Sequence, residues 1–251
     1  MHNDKKIVAT VECRMTSSRL PGKVMMTSCG KPMLEHLVER LRRVERIDQI
    51  VFATTERATD DCIEALAERL GVGCFRGSEN DVLSRVLGAA EKYDGELIVE
   101  ITGDCPLIDP GIVAQTIDLY MLNQCDYAAN CLVPSYPVGM DTQVFSTALL
   151  RLADREGHLP DDREHVSWFF VRNPDRFRLL MLPAPPELRW PELRLTLDEM
   201  ADFELINALF ERLYPLNPGF SCAEMLACLR RDNALQRLNE HVVQRHPTQY
   251  A

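Results

Sequence analysis

Apolar residues follow two rhythms along this chain. In its first half, short continuous runs at 6–13 (KIVATVEC), 49–54 (QIVFAT), 73–76 (GCFR) and 97–101 (LIVEI) alternate with stretches at 33–44, 60–70, 81–93 and 110–123, where apolar positions recur every three or four residues. Continuous apolar runs of that length read as strands buried on both faces, and the 3.6-residue repeat reads as amphipathic helix. Pro32 suits the first turn of one helix and Gly71 stops another. Strands alternating with helices predict right-handed βαβ units and a mostly parallel central sheet flanked by helices, an α/β fold. Such a sheet binds its ligand at the carboxyl ends of its strands. The loops after Cys13, Thr54, Arg76 and Ile101 are therefore where chemistry is expected.

The second half is less regular. Short strands are expected at 127–130, 142–145, 177–182 and 194–197, and helices at 163–172 and 199–214. A proline-punctuated loop spans 183–191, and 221–231 with 234–244 form a helical tail. No internal repeat or linker interrupts the chain. The organisation expected is one α/β domain over 1–215 with 216–251 as its C-terminal helical extension.

With 251 residues and a formal net charge of −10, the surface does not advertise nucleic acid or an anionic membrane as partner. Any anionic ligand must be held by a local cluster of positive charge. The nine cysteines include no Cys-x-x-Cys pair, which gives a structural zinc site no support. The N-terminus shows no signal-peptide core, and no stretch approaches the length that spans a bilayer, so a reduced, cytoplasmic protein is expected.

The loop after the first strand changes the picture. Within 14–23 it gathers Arg14, Arg19 and Lys23 with Thr16, Ser17 and Ser18 on an otherwise acidic chain. Guanidinium groups take phosphate bidentately, lysine adds a mobile point charge, and loop N–H groups supply further donors. A solvated basic loop is the plainer alternative, but the position at a strand end favours phosphate binding.

Arg-x-x-Ser-x-Arg-Leu-Pro-x-Lys, at 14–23, resembles the triphosphate-binding signature of the CMP-sugar synthetases for sialic acid and ketodeoxyoctonate. Further elements resemble the spore coat polysaccharide biosynthesis protein F family: 30–36 (GKPMLEH), 76–83 (RGSENDVL), 101–109 (ITGDCPLID) and 163–166 (REHV). Where many nucleotidyltransferases carry a Gly-Gly pair, this chain has Glu12-Cys13-Arg14, which points to the CMP-sugar synthetase branch. The resemblance implies a Rossmann-like nucleotide-diphospho-sugar transferase fold. It also implies a magnesium-dependent nucleotidyltransferase that moves CMP from CTP to a hydroxyl of a sugar or sugar acid, releasing pyrophosphate, in the synthesis of surface-polysaccharide precursors. A homodimer is expected on the same ground. Relatives that use GTP leave the choice between CTP and GTP open.

Nucleotidyl transfer builds charge on the α-phosphate and the departing pyrophosphate, so it needs cations and positioning more than covalent help. Mg²⁺ favours a few carboxylates plus phosphate oxygens and water. Asp104, in Thr102-Gly103-Asp104-Cys105-Pro106, resembles the family's metal motif, with an Asx turn or helix cap as the alternative. Asp198 is the second candidate ligand, against a helix N-cap role, and Asp202 reads as a first-turn charge. Arg14, Lys23 and Asp104 are the catalytic candidates. Arg14, Ser17, Ser18, Arg19, Lys23, Thr54, Arg76, Ser78, Asp81 and Thr102 are the nucleotide-binding candidates, with caps and surface charge as alternatives for Arg76, Ser78 and Asp81. For the acceptor, Asp141 is the candidate to bind a sugar hydroxyl or approach the metal, Arg163 to meet a carboxylate, and His165 to hydrogen-bond it or assist proton removal, with a satisfied packing histidine as its alternative. Two rivals stand beside this reading: a glycosyltransferase on the same fold, which would normally show Asp-x-Asp, and a non-catalytic nucleotide-binding relative.

Overall fold

The computed structural model describes residues 5–244. In chain order its elements are β1 (Ile7–Glu12), a small hairpin of β2 (Thr27–Ser28) and β3 (Lys31–Pro32), α1 (Met33–Leu41), β4 (Gln49–Thr55), α2 (Asp61–Leu70), β5 (Gly73–Gly77), α3 (Val82–Lys92), β6 (Leu97–Thr102) and α4 (Pro110–Leu122). There follow β7 (Tyr127–Ala129), β8 (Gln143–Ser146), α5 (Thr147–Glu156), α6 (Pro160–Glu164), α7 (Trp168–Val171), β9 (Leu179–Met181), α8 (Met200–Leu213), α9 (Cys222–Arg231) and α10 (Asn233–Gln236). Seven strands form one sheet in the order β5-β4-β1-β6-β8-β7-β9, and β8 alone runs against the others. The sheet is thus mostly parallel, as the alternating pattern predicts.

Strand alternation sorts the core into two layers. Ile7, Ala9 and Val11 face Leu34, Leu37 and Leu41 of α1, Ile63 of α2 and Val113 of α4. Val8, Val51, Ala53 and Ile98 face Leu83 and Val86 of α3, Leu150 of α5 and Phe170 of α7. Each Val, Leu, Ile or Phe side chain among them, fully removed from water, contributes about 1.5–3 kcal/mol. A third cluster joins α8 and α9 to Tyr136, Met140, Leu195 and Leu197 through Leu205, Phe210 and Met225. It carries the C-terminal half of the chain back over the carboxyl ends of the strands.

Four expectations change. The stretch at 147–156, given no element from sequence, is helix α5, with Ser146 capping it by accepting the Leu149 N–H at 3.1 Å. The expected helix at 163–172 splits into α6 and α7, because His165 leaves helical geometry at φ −109 and ψ 90. The strand expected at 194–197 reduces to one bridge between Val138 and Arg194. The helix expected at 234–244 shortens to α10, Asn233–Gln236. Residues 1–4 and 245–251 of the expected domain spans lie outside the described residues. Among the described residues no helix is long and apolar enough to cross a membrane.

Candidate active site

The chain leaves β1 at Glu12 and curls through the basic loop. Gly22, at φ 74, takes a left-handed turn that other residues rarely adopt, and its N–H donates to the Met15 carbonyl at 2.8 Å. This turn delivers Lys23 into the interior, where its Nζ donates to Asp104 Oδ2 at 2.8 Å and to Asp198 Oδ1 at 2.9 Å. Three distant parts of the sequence meet at this ammonium.

Asp104 is held by the backbone around it. The Gly103 N–H donates to the Glu12 carbonyl at 2.8 Å, and a Cβ at residue 103 would stand 2.7 Å from that oxygen. Only glycine permits β6 to leave the sheet so close to β1. Thr102 Oγ1 donates to Asp104 Oδ1 at 2.6 Å, and the Leu197 N–H donates to the Asp104 carbonyl at 2.8 Å. That last bond sets Asp198 beside Asp104.

Asp198 does not cap α8. Its carboxylate faces cations: Arg19 at 2.7 Å and Arg194 at 3.3 Å join Lys23. Capping falls to Asp202, fully buried, whose Oδ2 accepts the N–H groups of Asp198 and Glu199 at 3.0 Å each and pairs with Arg194 at 2.9 Å. Asp202 lies in the first turn of α8, as expected, and in addition holds the backbone that enters the helix. Burial works to raise the Asp198 pKa, but Lys23, Arg19 and Arg194 outweigh it and hold the carboxyl below its ordinary range. Burial likewise opposes the Lys23 charge, and Asp104 and Asp198 together push its pKa up.

The other sequence candidates fall in different places. Arg14 is partly exposed, with its Nη1 3.4 Å from Glu79 Oε1, which also accepts from Thr16 at 2.5 Å. Ser17 accepts the Leu20 N–H at 3.5 Å, and Ser18 is exposed. The candidates for a nucleoside pocket are engaged elsewhere. Thr54 is fully buried and donates to Asp60 at 3.0 Å. Arg76 pairs with Asp61 and Glu64 and donates to the carbonyls of Thr55 and Arg57. Ser78 accepts the Asp81 N–H at 3.1 Å, and Asp81 caps α3 through Ser84 at 3.0 Å. Ser78 and Asp81 serve a local turn and a helix cap, while Thr54 and Arg76 pair with carboxylates at the start of α2. Arg163, expected at an acceptor carboxylate, instead pairs with Asp81 at 2.5 Å and Asp154 at 2.7 Å.

Beside Asp104, a cavity of about 510 Å³ opens between the sheet, the 130–138 segment and the α6–α7 turn. Thr102, Asp141 and His165 line it, as do Glu12, Glu100, Tyr127 and Gln143. Tyr127 donates to Gln143 Oε1 at 2.5 Å, and Ser167 donates to the same oxygen. Burial, reinforced by Asp104 and eased by the Gly139 backbone, pushes the Asp141 pKa up to about 6. Burial raises Glu12 to about 7, with its hydrogen bond to Glu100 and the charge of Arg85 opposing and Asp104 adding. Burial and the neighbouring Glu12 push Glu100 well above the carboxylate range. Sequence reasoning passed over this carboxyl pair. Its signal was present: Glu12 and Glu100 fall at core-facing positions of buried strands, where a charge has no ordinary place.

The family model for cytidylyltransferases matches residues 8–230 of this chain. The spore coat polysaccharide biosynthesis protein SpsF of Bacillus subtilis is 33% identical over 231 residues, 90% of this chain and 95% of that protein. A 3-deoxy-manno-octulosonate cytidylyltransferase of Trichlorobacter lovleyi is 31% identical over 119 residues, 47% of this chain and 46% of that protein. The solved structure of a cytidylyltransferase from Leptospira borgpetersenii superposes with a TM-score of 0.85 at 32% identity, covering 96% of this chain and 98% of its own. The chain belongs to the cytidylyltransferase family.

Proposed function

We propose that this protein transfers CMP from CTP to a hydroxyl group of a sugar or sugar-like acceptor and releases pyrophosphate. The observation that carries the reading is the meeting of Lys23, Asp104 and Asp198, with Arg19, at the strand ends beside the cavity that Thr102, Asp141 and His165 line. Membership of the cytidylyltransferase family favours CTP as donor. Arg14, Arg19 and Lys23 bind the triphosphate, and Thr102 fixes the Asp104 carboxylate that faces it.

Among the described residues, no group of three or more His, Cys, Asp or Glu side chains could hold a metal ion. Two carboxylates do converge, since Asp104 and Asp198 both contact the Lys23 ammonium within 3 Å. Two carboxylate oxygens, completed by phosphate oxygens and water, fit the hard donor set of Mg²⁺. Bound there, Mg²⁺ would neutralise charge on the triphosphate. It would compete with the Lys23 ammonium for the same oxygens, so a triphosphate that draws Lys23 to itself and a cation that takes its place reinforce one another.

In the reaction the acceptor oxygen bonds to the α-phosphorus while the bond from that phosphorus to the bridging oxygen breaks. Pyrophosphate departs with the electron pair. The hydroxyl proton passes to Asp141, which lines the cavity and is half-buried. His165, on the same cavity wall, hydrogen-bonds the acceptor. Action as a homodimer, in the cytoplasm and in a surface-polysaccharide pathway rests on the family resemblance.

Thermal unfolding with CTP, GTP, UTP and ATP, each with and without Mg²⁺, tests the donor. A ligand that binds only the folded state at ~100 times its Kd stabilises it by about 2.7 kcal/mol. CTP with Mg²⁺ is expected to give the largest rise in Tm, with acceptor-dependent release of pyrophosphate rather than nucleoside diphosphate. No shift with any nucleotide would sink the reading.

A further inference from the structure

Resting on that reading, we propose that the segment after α10, residues 237–244, belongs to the active site: Asn239 and Gln244 are positioning residues that fix Arg194 and, through it, Asp198. The division of the Asp198 oxygens is the first ground. Oδ1 receives Lys23 at 2.9 Å and Arg19 at 2.7 Å, while Oδ2 receives Nη2 of Arg194 at 3.3 Å. Arg194 thus holds one oxygen of the carboxylate and leaves the other to the ammonium that Asp198 shares with Asp104. A carboxylate gripped on one oxygen keeps its orientation when the cation on the other is exchanged.

The second ground is that Arg194 is itself held from this segment. Its Nε and Nη2 fork onto the two oxygens of Asp202 at 3.2 and 2.9 Å, and its Nη1 donates to Oε1 of Gln244. Asn239 is buried, and its Nδ2 donates to Asp202 Oδ1 at 2.8 Å and to the Arg194 carbonyl at 3.1 Å. A side-chain amide has two donors, so both are spent on the Arg194–Asp202 unit. Arg194 cannot turn away from Asp198 without giving up charge-assisted hydrogen bonds on every side of its guanidinium.

The third ground is that docking alone does not call for these polar contacts. Leu235 of α10 is buried against the cluster of α8 and α9, and Val242 is buried as well. Those two anchors suit a segment that only covers the core. Burying an amide costs free energy that its hydrogen bonds do little more than recover, so Asn239 is explained by what it holds. Gln244 also lines the cavity with Asp141 and His165, so the segment touches the acceptor side of the site as well as the Asp198 side. Groups that orient a metal ligand matter to the metal: their loss typically weakens binding or activity about 10–100-fold.

The test is calorimetric titration of CTP into the full-length protein, with Mg²⁺ and without it. Mg²⁺ is expected to tighten CTP binding by the unaltered protein. Asn239→Ala and Gln244→Ala are expected to weaken binding at least ~10-fold in Mg²⁺, while the Mg²⁺-free affinity, set by the loop cations, moves far less. Gln244→Glu keeps an oxygen for Arg194 and should recover much of what Gln244→Ala loses. Leu226→Ala, a core truncation in α9 outside the Arg194 network, should lower the Tm and spare the gain from Mg²⁺. Gln244 is only half-buried, so its two variants carry the test should Asn239→Ala fail to fold. Equal losses with and without Mg²⁺, or a Gln244→Glu no better than Gln244→Ala, overturn the proposal and leave the segment a structural clamp. Absence of CTP binding, or of any gain from Mg²⁺, in the unaltered protein would instead overturn the nucleotidyl-transfer reading on which the proposal rests.

Discussion

The backbone N–H of Leu197 donates to the carbonyl of Asp104 at 2.8 Å, and this one bond brings the closing segment of the chain to the end of β6. Asp198 follows Leu197 directly, so its carboxylate and that of Asp104 come to share the Lys23 ammonium. Each residue of this set owes its place to a backbone constraint: Gly22 turns the chain into Lys23, Gly103 brings Asp104 close to β1, and Asp202 holds the backbone of Asp198 and Glu199.

Lys23→Ala leaves two carboxylates facing each other without their shared cation. Breaking a buried ion pair from one side costs about 3–5 kcal/mol. Chemical denaturation at pH 7 is therefore expected to show a loss of that order, and turnover is expected to fall at least ~100-fold. The acid sensitivity should move as well. The depressed folded-state pKa of Asp198 gives stability that is present above the unfolded value of about 3.9 and is lost as pH falls through the folded value. Without Lys23 the folded pKa rises and this contribution shrinks. Mg²⁺ alone should raise the Tm of Lys23→Ala more than that of the unaltered protein, since the ammonium no longer competes. Equal responses would count against Asp104 and Asp198 as the metal ligands.

Gly103→Ala tests the close approach of β6 to β1. The added methyl would lie 2.7 Å from the Glu12 carbonyl oxygen and 2.9 Å from the Cys13 Cβ. Overpacking of this kind costs about 1–3 kcal/mol, and relief requires the backbone carrying Asp104 to shift. A lowered Tm together with a fall in kcat at saturating CTP is expected. A variant with unchanged Tm and full activity would show that Asp104 tolerates displacement.

Asp141, if it takes the acceptor proton, must be ionised to act. Its pKa in the free protein lies at about 6, and a bound cation beside Asp104 favours the charged form. The pH profile of kcat should therefore rise with pH and level off, with its acid limb at about 6 or below. Asp141→Asn should lower kcat and abolish that limb. A limb that persists unchanged in Asp141→Asn assigns the proton transfer to another group.

The parallel half of the sheet was legible because its strands are continuous apolar runs bounded by turn residues: β1, β4, β5 and β6 lie within a residue or two of their predicted limits. Helix α5 was legible too, in Ser146 followed by apolar residues at Leu149, Leu150 and Ala153, but it sits in an irregular stretch and was passed over. The break at His165 left no mark in the pattern, because the apolar spacing runs on through Trp168 and Phe169. In the site, sequence showed which charges stood at strand ends. It did not show that Thr54 would be buried on Asp60, or that Arg163 would turn to Asp81, because those pairings depend on neighbours brought together by folding. Glu12 and Glu100 were the opposite case. Their chemistry was visible as charge inside apolar strands, and their partnership was hidden until β1 and β6 paired.

That partnership makes a stability prediction that needs no substrate. An acid whose folded pKa is raised retains its proton in the native state at pH values where the unfolded chain has released it. Between about 4.5 and 7 the native state therefore binds more protons through Glu12, and stability falls as pH rises across that window. The still higher folded pKa of Glu100 extends the decline further. The facing groups Arg85, Asp104 and Gln143 modulate the values and do not reverse the sign. Glu100→Gln removes the group whose raised folded pKa costs stability as the unfolded chain ionises, and supplies an amide N–H that can donate to Glu12. Since an unsatisfied buried acceptor costs about 1–3 kcal/mol, the variant should be more stable than the unaltered protein by that order at pH 8, with the two converging near pH 4.5. Denaturant titrations at both pH values decide it: a variant less stable at pH 8 would mean that the Glu12–Glu100 pair holds the strands together rather than straining them.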